Sequence, residues 1–138
     1  MEKSFFKKIV IATDGSDNSK YAVETGIKIA GSMGASVDAV HVIHAAWETE
    51  VDSELRDEAE KIVGYVEEKG NKENVSVEGV ILIGNPAEML IDYAQKKDAD
   101  LIVMGTKGMS GIKRFMLGSV AENVVRHSKK PVMVVPKI

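Results

Sequence analysis

Short apolar segments rich in β-branched residues alternate along the chain with longer segments of helical periodicity. The apolar segments span residues 9–12, 37–43, 75–83, 101–104 and 132–135. In the first, fourth and fifth the apolar residues are continuous, which indicates strands buried on both faces, as in a parallel sheet covered by helices. The pattern predicts one doubly wound, three-layer α/β/α domain over residues 1–138, with five parallel strands. We expect the strand order 3-2-1-4-5.

Four helices are predicted between these strands. They cover residues from about 16 to 33, about 49 to 69, 86 to about 97, and 120–127. The first helix places Ala22, Val23, Gly26, Ile27 and Ala30 on one face at helical spacing. The second has a stripe of residues predicted to be buried: Val51, Leu55, Ala59, Ile62, Val63 and Val66. The third begins with a recognisable cap, because Asn85 precedes Pro86 and Glu88 follows three residues after Asn85.

Composition excludes several classes of protein. A net charge of −3 argues against general nucleic-acid binding, because proteins that bind the phosphate backbone are usually basic. No apolar stretch approaches the roughly 20 residues of a membrane span. The chain contains no cysteine, so it has neither a disulfide nor a soft metal site. We expect a cytoplasmic protein that contacts neither membrane nor nucleic acid.

The glycine-rich segment after the fourth strand points most directly to chemistry. Gly105-Thr106-Lys107-Gly108 follows the strand, and Gly118-Ser119 precedes the last helix. Glycine allows a ligand to approach the backbone, and a helix start supplies unpaired N–H donors and partial positive charge. Lys107, Lys113 and Arg114 add positive charge, so a phosphate site is one interpretation. The other is structural: the glycines belong to an ordinary loop, and Ser119 with Glu122 forms a capping box.

The expected topology brings this segment close to Asp14. In doubly wound sheets the ligand lies at the carboxyl ends of the strands, where the strand order reverses. For the order 3-2-1-4-5 that crevice lies between the first and fourth strands, so Asp14 would face Gly105. Asp14 would suit the hydroxyls or amine of a nucleoside, or it could simply form the turn Asp14-Gly15-Ser16. None of the three histidines, His41, His44 and His127, has metal-ligand spacing with a partner.

These residues resemble the universal stress protein family. The family's ATP-binding signature is G-x2-G-x9-G-[S/T], and Gly105, Gly108, Gly118 and Ser119 match it without a gap. The segments 9–16, 84–87, 99–105 and 131–135 are also typical of the family. The resemblance covers essentially the whole chain.

The resemblance implies a binding site for ATP and a role for each matching residue. Ala12, Thr13 and Asp14 correspond to positions near the nucleoside, and Val42 to the residue whose backbone meets adenine. The expected phosphate loop comprises Met104, Gly105, Thr106, Gly108, Gly118, Ser119 and Val120. Oxygens of Thr106 and Ser119 are the candidate ligands should Mg²⁺ or Mn²⁺ accompany the phosphate.

The resemblance also implies a homodimer formed by pairing of the last strand with its twin. Val132, Val134 and Val135 lie on that strand, at the predicted edge of the sheet, where an apolar strand is otherwise unprotected.

We therefore expect an ATP-binding regulatory or stress-response protein. No base is evident beside the glycine segment, so hydrolysis should be slow at most. The motif G-x-x-x-x-G-K-[S/T] of phosphate-loop hydrolases does not occur. A phosphorelay receiver needs an acidic pair after the first strand and an Asp after the third, whereas this chain has only Asp14 at the first site and Gly84-Asn85 at the second. The remaining alternative is a nucleotide-free dimeric interaction module of the same fold.

Overall fold

Five parallel strands and four α-helices alternate in the computed structural model, which describes residues 5–107 and 117–137. In chain order they are β1 (Lys8–Ala12), α1 (Asp17–Met33), β2 (Ser36–Ile43), α2 (Ser53–Lys72), β3 (Val77–Ile83), α3 (Pro86–Lys96), β4 (Leu101–Gly105), α4 (Ser119–His127) and β5 (Val132–Val135). The order in the sheet is β3-β2-β1-β4-β5, with every pair parallel. The predicted fold class and strand order are confirmed.

Alternate residues of the central strands enter two cores on opposite faces of the sheet. Ile9 and Ile11 of β1 pack in a core with side chains of α1 and α2. Val10 and Ala12 face the other way and pack with side chains of α3 and α4. All four β1 residues are at most 7% exposed. Burial on both faces is the arrangement that the continuous apolar run predicted.

Side-chain caps, of which Asn85 was predicted, explain where two of the helices begin. The Ser16 side chain accepts the N–H of Ser19 at the start of α1, and Asn85 accepts the N–H of Glu88 at the start of α3. Each side-chain oxygen satisfies a backbone donor that has no partner inside the helix. The predicted start of α3 is therefore confirmed.

The predicted start of α2 is wrong. Residues 48–50 form a short 3₁₀ turn, and α2 begins at Ser53, because the Asp52 side chain caps the helix by accepting the N–H of Leu55. Val51 is buried but precedes the helix, and Leu55, predicted to be buried, is 39% exposed. The third strand also starts later than predicted, at Val77. Among the residues described, no helix combines the length and the apolar character needed to cross a bilayer.

Candidate functional site

A cavity of about 490 Å³ lies at the carboxyl ends of β1, β2 and β4. Nine of the predicted site residues line it: Ala12, Thr13, Asp14, Val42, Met104, Gly105, Gly118, Ser119 and Val120. The other lining residues are Ser19, Val40, His41, His44, Pro86, Leu90, Lys107 and Ala121. Residues about ninety positions apart in sequence thus share one cavity, at the switch point of the sheet. Gly108, Lys113 and Arg114, also singled out from the sequence, lie outside the described residues.

One part of the cavity wall is apolar. Val40, Leu90 and Met104 are each at most 5% exposed, and Ala12 and Ala121 lie beside them in the same core. Such a surface suits the face of a planar aromatic group, because removing that group from water is favourable. Sequence reasoning named only part of this wall. Leu90 and Pro86 come from the first turns of α3, whose position over the sheet could not be read from local motifs.

The turn after β1 fixes the position of Asp14. The backbone N–H of Ser16 donates to Asp14 Oδ1 at 2.9 Å, so Asp14 does form the predicted local turn. Gly15 follows with a φ of +81°, in the left-handed region that favours glycine. Asp14 also lines the cavity. The structural and the ligand-facing interpretations of Asp14 are therefore compatible.

Thr13 is held by hydrogen bonds from three directions. Its N–H donates to the Val40 carbonyl at 3.0 Å, and its hydroxyl lies 3.1 Å from Ser19 Oγ. Its carbonyl oxygen lies 2.9 Å from Nδ1 of His41. A carbonyl can only accept, so Nδ1 is the donor in this pair. His41 was assigned no role from the sequence, since its partner is a backbone atom of the residue that follows β1.

The α4 helix begins at the cavity without a side-chain cap. Gly118 occupies the cap position with φ −67° and ψ 163°, and it has no side chain that could accept an N–H of the first turn. The N–H groups of the first turn, from Ser119 to Ala121, have no acceptor within the helix. All three of these residues line the cavity. The helix therefore presents donors and partial positive charge to this space.

The capping-box interpretation of Ser119 and Glu122 is wrong. Ser119 lies inside the helix, and the cap position is taken by Gly118. The Glu122 carboxylate instead accepts from Arg126 Nε at 3.1 Å, one turn further along. The helix start is left open to a ligand because its cap residue has no side chain.

Thr106 does not line the cavity wall. Its carbonyl accepts the N–H of Gly118 at 2.7 Å, and its hydroxyl lies 3.5 Å from Asn18 Oδ1. Thr106 thus joins the end of β4 to the start of α4. Ser119, the other residue whose hydroxyl was predicted as a metal ligand, does line the cavity. Across residues 5–107 and 117–137, no three His, Cys, Asp or Glu residues are grouped to hold a metal ion.

Comparisons with known proteins identify relatives along nearly the full chain. The family model described as "Universal stress protein family" matches residues 5–136. Universal stress protein MJ0531 of Methanocaldococcus jannaschii is 38% identical, covering 98% of this chain and 85% of the relative. Universal stress protein YxiE of Bacillus subtilis is 32% identical, covering 94% of this chain and 99% of the relative.

Solved structures agree in fold over a similar extent. The structure of protein MJ0577 superposes with a TM-score of 0.85 at 29% identity, covering 97% of this chain and 98% of the other. A universal stress protein solved in complex with cAMP has a TM-score of 0.78 at 29% identity, covering 96% and 98%. The protein from Archaeoglobus fulgidus, solved in complex with dAMP, has a TM-score of 0.78 at 27% identity, covering 94% and 98%.

Proposed function

Because the chain belongs to the universal stress protein family, as its glycine motif predicted, we propose that it is a regulatory or stress-response protein that binds an adenine nucleotide, ATP foremost. The observation that carries this proposal is the uncapped start of α4, which faces a cavity with an apolar wall. Unpaired helix N–H groups attract phosphate, and the apolar wall suits a base. The relatives solved with cAMP and dAMP support adenine nucleotides as the ligand class.

The predicted residues divide between the two ends of the nucleotide. We assign Val42 to the adenine through its backbone, and Ala12, Thr13 and Asp14 to the nucleoside. The phosphates would lie at the other end, against a set of residues from β4 and α4: Met104, Gly105, Gly118, Ser119 and Val120. Thr106 would contribute indirectly, since its carbonyl fixes Gly118. The phosphate role of Gly108 stays a prediction.

ATP is favoured over a monophosphate by charge. Lys107 lines the cavity, and Lys113 and Arg114 follow in the same glycine segment of the sequence. A triphosphate carries more negative charge than a monophosphate, so it gains more from each added cation. Should Mg²⁺ or Mn²⁺ bind, phosphate oxygens and water would supply most of its ligands. The Ser119 hydroxyl is the nearby candidate on the cavity wall, whereas the Thr106 hydroxyl lies against Asn18 Oδ1.

We propose binding, with hydrolysis slow at most, as the function. Asp14, His41 and His44 line the cavity, and the first two also hold the turn after β1: Asp14 Oδ1 accepts from Ser16, and His41 Nδ1 donates to Thr13. The glycine segment 105–119 itself contains no Asp, Glu or His, so no general base is evident beside the proposed phosphate site. Turnover should stay below roughly one per second, which is the slow end of typical enzymes. We place this role in the cytoplasm, acting through a downstream protein partner.

We further propose a homodimer formed through β5. Within residues 5–107 and 117–137, this strand has a neighbour in the sheet only on the β4 side. The Ile102 N–H donates to the Pro131 carbonyl, so residue 131 and every second residue after it point toward β4. Val132 and Val134 therefore direct their backbone groups to the open edge, where a second copy could pair with them, and Val135 extends the apolar strand.

One experiment separates nucleotide binding from the alternative of a nucleotide-free interaction module. The protein is purified without added nucleotide and denatured, and the released ATP is quantified. Isothermal titration then measures ATP affinity on nucleotide-stripped protein. We expect retained ATP, or micromolar binding on the order of −8 kcal/mol. If the protein retains no nucleotide and gives no heat with ATP, the interaction module is the better description.

A further inference from the structure

A buried amide connects the two halves of the proposed site. Asn18 is the second residue of α1 and is only 5% exposed. Its Oδ1 lies 3.4 Å from the backbone nitrogen of Lys107 and 3.5 Å from the Thr106 hydroxyl. Both contacts are long for hydrogen bonds. Asn18 thus reaches from the α1 side to the segment that follows β4.

The other end of the Asn18 amide is an unsatisfied donor. Its Nδ2 is buried and has no hydrogen-bond partner among the described residues. A buried donor without an acceptor costs free energy, and an apolar side chain of similar size would avoid that cost. Packing alone therefore does not explain asparagine at position 18.

Gly105 is a glycine because of this same amide. A Cβ at position 105 would lie 2.5 Å from Asn18 Oδ1 and 3.3 Å from the Asn18 carbonyl oxygen. The described glycines with positive φ are Gly15, Gly34 and Gly84, so the backbone conformation of Gly105 does not itself demand glycine. The first glycine of the motif is thus explained by contact with Asn18, without any ligand.

We propose that Asn18 is a positioning residue for the phosphate end of the site. Its amide sets the place of Gly105, Thr106 and Lys107 relative to α1. Through the 2.7 Å contact between the Thr106 carbonyl and the Gly118 N–H, that placement extends to the start of α4. This inference rests on the proposed nucleotide binding, and it concerns the phosphates and not the base.

The first test replaces the amide by an apolar group of similar size, in the variant Asn18→Leu. Affinities for ATP and for adenosine are measured by titration calorimetry, and the melting temperature by thermal unfolding. We expect an unchanged or higher Tm, ATP affinity weakened on the order of tenfold, and adenosine affinity changed by less than about twofold. Asn71→Leu, on the exposed surface of α2, is the matched control.

The outcomes distinguish the two proposals. If the wild-type protein binds neither ATP nor adenosine, the proposed function fails. If the wild type binds both, and Asn18→Leu leaves ATP affinity unchanged or weakens both ligands equally, the positioning role of Asn18 is overturned.

The second test needs no nucleotide. Gly105→Ala should lower the Tm, because the new methyl group meets the Asn18 amide. Combining it with Asn18→Ala removes that oxygen, so the loss in the double variant should be smaller than the sum of the two single losses. Strictly additive losses would contradict the proposed dependence of Gly105 on Asn18.

Discussion

The imidazole Nδ1 of His41 lies 2.9 Å from the carbonyl oxygen of Thr13 and so ties β2 to the residue that precedes Asp14. His41 and Asp14 both line the cavity. The contact crosses from one strand to the end of its neighbour, beyond the last residue of β1. The position of Asp14 therefore depends on a side chain 27 residues later in the sequence.

Replacing His41 by phenylalanine should weaken nucleotide binding. The Thr13 carbonyl would lose its donor, and the turn that holds Asp14 would be less fixed. We expect a loss of about 1 kcal/mol in stability and a fall of roughly tenfold in adenosine affinity. Titration calorimetry and chemical denaturation measure the two effects. The control is His127→Phe at the exposed end of α4, and an equal loss of affinity in that variant would refute the role of His41.

Gly118→Val should abolish nucleotide binding while the fold is retained. Gly118 has φ −67° and ψ 163°, which valine adopts without strain, so the effect comes from the side chain at the cavity wall. We expect ATP affinity to fall by at least about a hundredfold, with circular dichroism unchanged. Gly64→Val is the control, because a Cβ there would meet no atom within 4 Å. Unchanged ATP affinity in Gly118→Val would rule out this cavity as the phosphate site.

Val134→Asp should convert a dimer into monomers. A carboxylate in the middle of the open edge of β5 would have to lose its water on pairing with a second strand. Light scattering coupled to size-exclusion chromatography gives the mass in solution. The control is Leu55→Asp, on α2, which packs on β2 and β3, far from β5 in the sheet order. This variant should have the same mass in solution as the wild type. A Val134→Asp protein that stays dimeric would locate the interface elsewhere.

Asp100→Asn should reduce the stability of the protein at neutral pH and flatten its response to acid. Backbone N–H groups of Lys8 and Lys7 donate to Asp100 Oδ2 at 2.9 and 2.8 Å, and they lower the pKa of this carboxyl. Because the folded pKa lies below the unfolded value of about 3.9, the stabilisation is present above that value. It is lost as the pH falls through the folded pKa.

The expected size of this effect is modest, because the site is partly exposed. We expect Asp100→Asn to cost about 1 kcal/mol at pH 7, with a smaller further loss on acidification than in the wild type. Urea denaturation between pH 7 and pH 3 measures both. Asp57→Asn, exposed on α2, is the control. If the difference in unfolding free energy between the wild type and Asp100→Asn stays constant from pH 7 to pH 3, the lowered pKa of Asp100 is not the cause.

Much of the fold could be predicted because its signals are local. The continuous apolar run of β1 indicated burial on both faces, and Asn85 with Pro86 marked the start of α3 to the residue. The start of α2 was misplaced because Val51 extends the apolar stripe of the helix upstream of Asp52. Only the hydrogen bond from the Leu55 N–H to Asp52 decides which residue caps the helix.

Site residues that belong to a local motif could be predicted from the sequence. Site residues that are placed by contacts between distant segments could not. The glycine spacing pointed to Gly105 and Gly118, and both line the cavity. His41, Leu90 and Asn18 were missed, because their partners lie on other elements and leave no pattern in the neighbouring sequence. Gly105 was attributed to ligand approach, and the structure adds a second reason for glycine there, because a Cβ would lie 2.5 Å from Asn18 Oδ1.

The central place of β1 has a consequence for the order in which the protein can be assembled. One of the two neighbours of β1 is β4, through the pairs Ile9–Leu101, Val10–Ile102 and Ile11–Val103. This neighbour is made late in synthesis. While the ribosome is still translating the middle of the chain, one side of β1 has no native partner, and such long-range pairing is slow to form. The nascent protein therefore has no pocket until its fourth strand emerges, and early truncated products should be targets for chaperones rather than for ligand.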